Sequence, residues 1–365
     1  MPDKNLETKE KSENGVNSAS QWIIVIGASA GGFEAFKTLV KKLPSDFSTP
    51  ILIVWHLSPD VQGVLPQVLN RVNKIFAANA YDGEEIEAHR IYVAPPNRHL
   101  LVNDGKMSVT NGPKENGFRP AIDPLFRSAA YAYGNRVIGV ILSGALDDGT
   151  AGLWTVKEYN GIAIVQDPMD AEVPSMPENA RRGVNVDYCV GISELSGLLV
   201  QLTKQPLPEM TNGKKDQQTK NEIQIAAGGD ALQNGIYDSG TLTPFTCPEC
   251  NGVLAKLQNG NIVRYRCHTG HAYSIDALLA ALTERIEDGL YNAIRGIDES
   301  IILLNHLGDH YAEANQPKLA ALYFRKAKDA GDRVILVRDA VLKHEQLNKD
   351  ALENTINGSE AKKTN

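Results

Sequence analysis

The stretch QWIIVIGASAGG, residues 21–32, decides how the first half of this sequence is interpreted. Five consecutive apolar residues, 22–26, predict a buried strand, and the small residues after them predict a tight turn into a helix. Such a turn holds the hydroxyl of Ser29 clear of the sheet, beside helix N-terminal amides that favour negative charge. The stretch therefore predicts either a dinucleotide-binding loop or a serine nucleophile.

Further apolar runs follow this strand, separated by helical or loop patterns. They lie at 50–56, 90–94, 136–144 and 161–167, with a helical pattern at 33–43 and a small hairpin at 100–109. Strands that are continuously apolar, rather than alternating, indicate a parallel sheet covered on both faces. We therefore expect an α/β fold with a doubly wound, mostly parallel sheet.

The strand ends separate the two interpretations of the glycine-rich turn. A dinucleotide site needs G-x-G-x-x-G and an acidic residue after the second strand, but this chain has Ser29 and His56 at those places. The strand at 136–144 leads to Asp148. Because the carboxyl ends of parallel strands share one edge, Ser29, His56 and Asp148 are expected to form nucleophile, base and orienting acid. Asp147 is the alternative acid.

Five segments of the chain resemble, in order, the catalytic domain of the chemotaxis protein-glutamate methylesterases of the CheB type. The resemblance covers about residues 22–203, roughly half of the chain, through GASAGG, WHLSP, APPNRHLLV, RPAIDPLFRSAA and SGALDDGTAG. It implies that Ser29 is the nucleophile, His56 the base and Asp148 the acid that orients the base. The implied reaction is hydrolysis of glutamyl γ-methyl esters without a catalytic cofactor, extending to glutamine deamidation through the same acyl-enzyme.

One place departs from the family pattern. The family has methionine in its T-G-M-G segment, with a backbone implicated in holding the oxyanion, and Ala145 stands there in this chain. The backbone amides around Ala30 and Ala145 are the expected oxyanion donors. Two alternatives stay open: a serine esterase or amidase with another substrate, and a non-enzymatic signalling module on the same fold.

Other residues in the matching segments have less specific interpretations. His99 precedes a strand, so it is expected to be structural rather than catalytic. Arg119 and Arg127 are interpreted either as contacts to an acidic receptor helix or as partners of carboxylates. Cys189 lies in the apolar run YCVGI and is expected to be a buried strand residue.

Residues 241–274 contain a compact Cys/His segment. CPEC, residues 247–250, is followed after 16 residues by CHTGH, residues 267–271. Two such knuckles favour a structural, tetrahedral Zn²⁺ in a zinc-ribbon-like module, and a CPEC redox pair is the chemical alternative. His268 is the substitute for the histidine of the expected ligand set, which is Cys247, Cys250, Cys267 and His271. The segment resembles an extension found on some CheB-type proteins that have no receiver domain.

Composition divides the remainder of the chain. Polar stretches predict disordered tails at 1–20 and 348–365 and a linker at 205–240, between a methylesterase domain at 21–204 and the Cys/His module. Apolar residues three or four apart predict a helical hairpin at 275–347. The roughly 20 residues before the first strand are too few for a receiver domain, so phosphorylation through an attached receiver is not expected.

Net charge and hydropathy limit the classes of partner that the chain is expected to bind. The net charge of −7 argues against nucleic acid, and no apolar run is long enough for membrane insertion. The polar N-terminus and the clustered cysteines predict a cytoplasmic protein. The expected partners are methyl-accepting chemoreceptor-like proteins, a cognate methyltransferase or separate regulator, and a second copy bound through the C-terminal helices.

Overall fold

The computed structural model describes residues 21–56, 64–210, 216–345 and 347, so the predicted tails at 1–20 and 348–365 lie outside the described residues. The chain divides into two compact units. The first runs to Ser239 and includes Asn259–Ile262, and the second consists of Gly240–Gln258 and Val263–Asn365. Within the described residues, no helix combines the length and the apolar character that crossing a membrane requires.

The elements are numbered in chain order. The strands are β1 (Ile23–Ala28), β2 (Ile51–Trp55), β3 (Phe76–Asn79), β4 (Arg90–Val93), β5 (His99–Asn103), β6 (Lys106–Thr110), β7 (Val137–Ile141), β8 (Ile162–Gln166), β9 (Tyr188–Val190), β10 (Thr241–Thr246), β11 (Val253–Asn259), β12 (Ile262–Cys267) and β13 (Ala272–Ser274). The helices are α1 (Gly32–Lys42), α2 (Val64–Val72), α3 (Ile122–Tyr133), α4 (Thr150–Glu158), α5 (Ser175–Gly183), α6 (Ile192–Thr203), α7 (Gln217–Ala226), α8 (Ile236–Ser239), α9 (Ile275–Glu313) and α10 (Pro317–Leu342).

A parallel sheet forms the centre of the first unit. Among the described residues it has seven strands in the order β3-β4-β2-β1-β7-β8-β9. Ile24 of β1 pairs with Ile51 of β2 on one side and with Ile138 of β7 on the other. The sheet grows outward from β1 in both directions, so its topological switch point lies between β1 and β7. The predicted doubly wound α/β fold is confirmed.

Both faces of this sheet are covered, which explains why its strands are continuously apolar. Along β1, Ile23 and Val25 face one core, while Ile24 and Ile26 face the other. The first core contains side chains of α3, α4 and α5, and the second contains side chains of α1, α2 and α6. Strand β3 has no counterpart among the predicted strands, because it is short and lies at an edge of the sheet, whereas β9 falls in the run YCVGI, where a strand is expected.

Two features of the first unit differ from the sequence-based expectation. The predicted linker at 205–240 contains α7 and α8, and Ile225 and Ala226 of α7 are buried. The Asp216 side chain caps α7 by accepting a hydrogen bond from the Thr219 amide. The prediction that Cys189 is buried is wrong, since this residue is exposed on the edge strand β9.

The second unit combines a small sheet with two long helices. Strands β10, β11, β12 and β13 are neighbours in that order, and α9 starts directly after β13. The Ser274 side chain caps α9 by accepting from the Ala277 amide. Helix α10 follows after a short turn and buries small or β-branched side chains at intervals of three to four, namely Ala327, Ala330 and Val334. The structure therefore contains the helical hairpin that the sequence predicts.

Candidate active site

Ser29 lies at the turn between β1 and α1. Its amide donates to the Ser143 carbonyl over 2.9 Å, and its own carbonyl accepts from the indole of Trp55 over 3.0 Å. Gly31 has a φ of 75°, a conformation in which glycine has no steric penalty, and α1 starts at the next residue. The turn is fixed through its backbone, while Ser29 itself is partly exposed. Its hydroxyl is therefore available for chemistry.

The parallel register places His56 beside Ser29. Ala28 pairs with Trp55, and the His56 amide donates to the Ala28 carbonyl over 3.1 Å. Ser29 directly follows β1 and His56 directly follows β2, so the two residues lie side by side. His56 Nε2 lies 2.8 Å from Asp148 Oδ2, and the two side chains are only 4% and 1% exposed. The structure thus brings together the base and the acid that the sequence predicts.

Several donors surround the Asp148 carboxylate. The Ile122 amide donates to Oδ2 over 2.7 Å, and the Asn116 side chain donates to Oδ1 over 2.8 Å. Burial works against ionisation, but the hydrogen bond and charge of His56, together with these donors, hold the pKa of Asp148 below its ordinary value. Asp147 is partly exposed and is not the residue bonded to His56. The geometry selects Asp148 over the alternative acid.

Comparisons with known proteins identify the family of the first unit. The sequence model of the CheB methylesterase family matches residues 24–199. A Leptospira interrogans protein, named as a protein-glutamate methylesterase/protein-glutamine glutaminase, is 41% identical over 187 residues, which is 51% of this chain and 97% of that protein. This chain belongs to the CheB methylesterase family.

A further relative and a solved structure match about half of this chain. A protein-glutamate methylesterase/protein-glutamine glutaminase of Anaeromyxobacter dehalogenans is 34% identical over 50% of this chain and 53% of its own length. The catalytic domain of the Thermotoga maritima CheB methylesterase is 32% identical, with a TM-score of 0.49, over 50% of this chain and 99% of that domain. These matches concern the first unit of this CheB family member.

The loop at 116–118 contacts both His56 and Asp148, and it is not among the site residues predicted from the sequence. Phe118 stacks on the His56 ring, with centroids 3.8 Å apart and planes 7° from parallel. Asn116, which bonds Asp148, also donates to Asp123 Oδ2 over 3.1 Å. Asn116-Gly117 is a turn dipeptide, and both residues have positive φ. That dipeptide, which Phe118 separates from RPAID, is the sequence signal for this loop.

The β7 end supports the nucleophile turn from behind. The Ser143 hydroxyl donates to the Ala30 carbonyl over 2.7 Å and accepts from the Val173 amide over 2.9 Å. A Cβ at Gly144 would lie 2.9 Å from the Ser29 Cβ and 2.6 Å from the Met176 Cε. In the turn after β7, any side chain at Gly144 would therefore crowd Ser29 and Met176.

Ala30 and Ala145, the expected oxyanion donors, are exposed residues on the two sides of Ser29. Within the described residues, neither amide donates a hydrogen bond to a backbone carbonyl. Leu146 has a φ of 61°, which strains a leucine by roughly 1–2 kcal/mol. This strained turn follows Ala145 and ends at the buried Asp148, so the oxyanion candidate and the acid share one rigid loop.

His99, Arg119 and Arg127 make contacts within the first unit. His99 is fully buried, with Nε2 2.8 Å from the Pro113 carbonyl, while the Ala121 amide donates to Nδ1 over 3.3 Å. These contacts define the neutral tautomer that carries its proton on Nε2. Arg119 donates to Asn97 Oδ1 over 2.9 Å. Arg127 is buried in ion pairs, which agrees with the carboxylate-pairing interpretation rather than a receptor contact.

Proposed function

We propose that this protein hydrolyses γ-methyl esters of glutamate side chains in proteins and releases methanol. The observation that carries the proposal is the buried 2.8 Å contact between His56 and Asp148 at the strand end next to Ser29. The family membership and the names of the similar proteins support the same reaction. Ser29 is the proposed nucleophile, His56 the general base and Asp148 the residue that orients His56.

The hydrogen bond to Asp148 assigns the two nitrogens of His56 to different roles. Because Nε2 is the nitrogen bonded to Asp148, Nδ1 is the one that takes the Ser29 proton. Ser29 Oγ then bonds to the ester carbonyl carbon, and the tetrahedral intermediate places its negative oxygen near the amides of Ala30 and Ala145. One such donor lowers the barrier by about 3–4 kcal/mol.

Collapse of the intermediate breaks the bond to the methoxy oxygen, and His56 returns the proton to form methanol. A water molecule then loses its proton to His56 and attacks the glutamyl-Ser29 ester. The bond between the acyl carbon and Ser29 Oγ then breaks, the glutamate carboxyl group leaves, and His56 returns the proton to Ser29 Oγ. The same acyl-enzyme forms from glutamine with loss of ammonia, so deamidation is part of the proposal.

Methyl-accepting chemoreceptor-like proteins are the proposed substrates. The cognate methyltransferase or regulator, the contact with a second copy through the C-terminal helices, and the cytoplasmic location stay predictions from the sequence.

The test measures methanol release from a chemoreceptor fragment that carries labelled methyl esters. Ser29→Ala should reduce the rate by on the order of 10³-fold or more, because the oxyanion donors alone leave little catalysis. Ser45→Ala, which changes an exposed serine elsewhere in the first unit, is the control. Equal release by wild type and Ser29→Ala would contradict the proposal.

A fluorophosphonate probe separates the two alternatives. Labelling of Ser29 without methanol release would indicate an esterase or amidase with another substrate. Absence of both labelling and release would indicate a non-enzymatic module.

A further inference from the structure

Two turns of the second unit each begin at a cysteine and lie close together. In one, the Asn251 amide donates to the Cys247 carbonyl, and in the other the Gly270 amide donates to the Cys267 carbonyl, both over 2.9 Å. Asn251 and Gly270 have positive φ, so each turn curls back toward its first cysteine. The turns direct the side chains of Cys247, Cys250, Cys267 and His271 to one point, with ligand atoms within 4.8 Å of one another.

The distances fit a tetrahedral metal ion. Cys250 Sγ lies 3.6 Å from Cys267 Sγ, and His271 Nδ1 lies 3.7 Å from Cys247 Sγ and 3.6 Å from Cys267 Sγ. Tetrahedral Zn²⁺ with the usual bond lengths separates two sulfurs by about 3.8 Å, and a sulfur from a nitrogen by about 3.6 Å. A disulfide would bring its sulfurs to about 2.05 Å. We propose that these four residues bind one Zn²⁺, with His271 coordinating through Nδ1.

The second histidine of the motif is placed elsewhere. A Cβ added to Gly252 would lie 2.3 Å from Cε1 and Nδ1 of His268, so this imidazole packs against the Gly252 backbone. His268 is not a member of the converging set. The sequence leaves His268 and His271 as alternatives, and the geometry selects His271.

The ion has a structural role in this inference. Three cysteines and one histidine fill a tetrahedral shell, which leaves no position for a substrate. The small core around the site contains Leu254, Tyr273, Ala277 and Leu278 in addition to two of the ligands. Arg285 of α9 also donates to the Cys247 carbonyl over 3.4 Å. Zinc therefore holds the start of the helical hairpin against the sheet, and binding is coupled to folding of this unit.

Metal analysis of the purified full chain tests the site. Wild type and His268→Ala should each contain one Zn²⁺ per chain, while His271→Ala should contain none. His271→Cys keeps four ligands, so it should retain zinc and, with Co²⁺, change a three-sulfur spectrum to a four-sulfur one. Loss of zinc from His268→Ala with retention in His271→Ala would overturn the ligand set. A zinc-free wild type with a Cys247–Cys250 disulfide would establish the redox alternative.

A different observation carries a second inference, which rests on the proposed function. Helix α7 belongs to the first unit but lies beyond the family match at 24–199. It packs against α3, which lies within that match. Arg127 Nη1 lies 3.0 Å from Glu222 Oε2 of α7, and Arg127 Nη2 lies 2.7 Å from Glu115 Oε2. All three side chains are about 2% exposed. A buried ion triad thus connects α7 to the loop at 115–118.

That loop holds the catalytic pair in place. The Glu115 amide donates to the Phe118 carbonyl over 3.2 Å, and the Phe118 amide donates to the Glu115 carbonyl over 2.9 Å. Between them lies Asn116, which bonds Asp148, and Phe118 itself stacks on His56. We infer that Glu222 is a positioning residue, which acts through Arg127 and Glu115 on the two groups that orient His56.

Glu222→Gln tests this inference without leaving Arg127 unpaired, since Glu115 still contacts it. Because small displacements of catalytic groups slow reactions strongly, Ser29 labelling by the fluorophosphonate should slow on the order of tenfold, with a shifted pH profile. Asp216→Asn is the control, because Asp216 anchors the same helix through its cap and through Tyr159. The control should lose stability while keeping the labelling rate and its pH profile.

Hydrogen exchange separates failure of this inference from failure of the proposed function. Amides at 115–123 should exchange faster in Glu222→Gln than in Asp216→Asn, whether or not Ser29 is reactive. The effects of Phe118→Ala and Glu222→Gln on labelling should also be less than additive, because both act through one loop. Unchanged exchange, or fully additive losses, would overturn the role of Glu222.

Discussion

At the scale of single residues, the site contains a buried carboxylate, Asp148, that is surrounded by hydrogen-bond donors. Asp148 accepts from His56, from the Ile122 and Gly149 amides and from Asn116. Since its folded pKa lies below the ordinary value, its ionisation stabilises the fold above the unfolded pKa of about 3.9. This contribution is lost as the pH falls through the folded pKa. Asp148 therefore stays charged wherever His56 acts as a base.

Asp148→Asn should reduce methanol release by on the order of 10⁴-fold, because an amide does not stabilise the imidazolium or fix the reactive tautomer. Single-turnover measurement with the methylated receptor fragment gives the rate of acylation. Asp147→Asn is the matched control and should keep the wild-type rate. A larger loss in Asp147→Asn than in Asp148→Asn would contradict the assignment of the acid.

His99 should give the first unit a stability that depends on pH. Burial lowers the pKa of His99, although Glu115 and the Pro113 carbonyl oppose the shift. The unfolded chain therefore binds the proton first, and stability is complete above about pH 6.5 and falls below it. His99→Gln should flatten this slope, whose limit is about 1.4 kcal/mol per pH unit for one proton.

Urea unfolding between pH 7 and 5 measures the effect of His99. Tryptophan fluorescence is the signal, since Trp22, Trp55 and Trp154 all lie in the first unit. His89→Asn changes an exposed histidine with positive φ, a conformation that asparagine tolerates, so its slope should match wild type. An unchanged slope in His99→Gln would contradict a pKa of His99 that is lowered by folding.

The adjacent positions of Ser29 and His56 could be predicted from the sequence because a parallel sheet brings its strand ends together. Ser29 and His56 follow paired strand residues, so the approach of their side chains depends only on register. Asn116 and Phe118 follow no strand of that sheet, and their position depends on the path of a loop. Local patterns do not determine such a path, which is why these two residues emerge only from the structure.

At the scale of elements, α7 shows how tertiary contacts override composition. Its segment is polar and resembles a linker, but Glu222 and Thr219 are buried by contacts that local sequence does not reveal. The Thr110 hydroxyl also donates to the Ala226 carbonyl over 2.7 Å. Arg127, which lies opposite, stabilises the buried Glu222 carboxylate. Arg127 and Glu222 are 95 positions apart in the sequence, so local periodicity does not predict that they pair.

Gly112→Ala should displace α7, because a Cβ there would lie 2.0 Å from the Ala226 carbonyl oxygen. We expect a loss of about 1–3 kcal/mol in the free energy of unfolding, with faster hydrogen exchange in α7. Gly197→Ala is the control, since a Cβ at this exposed position of α6 meets nothing within 4 Å. That change should stabilise α6 by about 0.5–1 kcal/mol. Unchanged exchange in Gly112→Ala would contradict the docking of α7.

At the scale of the whole molecule, the two units differ in the size of the apolar core that each contains. The first has two apolar cores, one on each face of its sheet. The second has a small core that includes Cys247 and Cys267 themselves, so it has little apolar surface to bury. The sequence predicts a metal site in the second unit, because its cysteines and histidines have the spacing of zinc ligands. The choice between His268 and His271 needs the packing against Gly252.

Removal of zinc should therefore affect the second unit. We expect a chelator to lower the temperature at which helical signal from α9 and α10 is lost, because the metal-bound state alone gains the binding free energy. The transition reported by tryptophan fluorescence should keep its midpoint. Cys189→Ser, at an exposed cysteine outside the ligand set, should respond to the chelator as wild type does. Identical melting of the helical signal with and without chelator would contradict a structural metal, since a folded second unit would then need none.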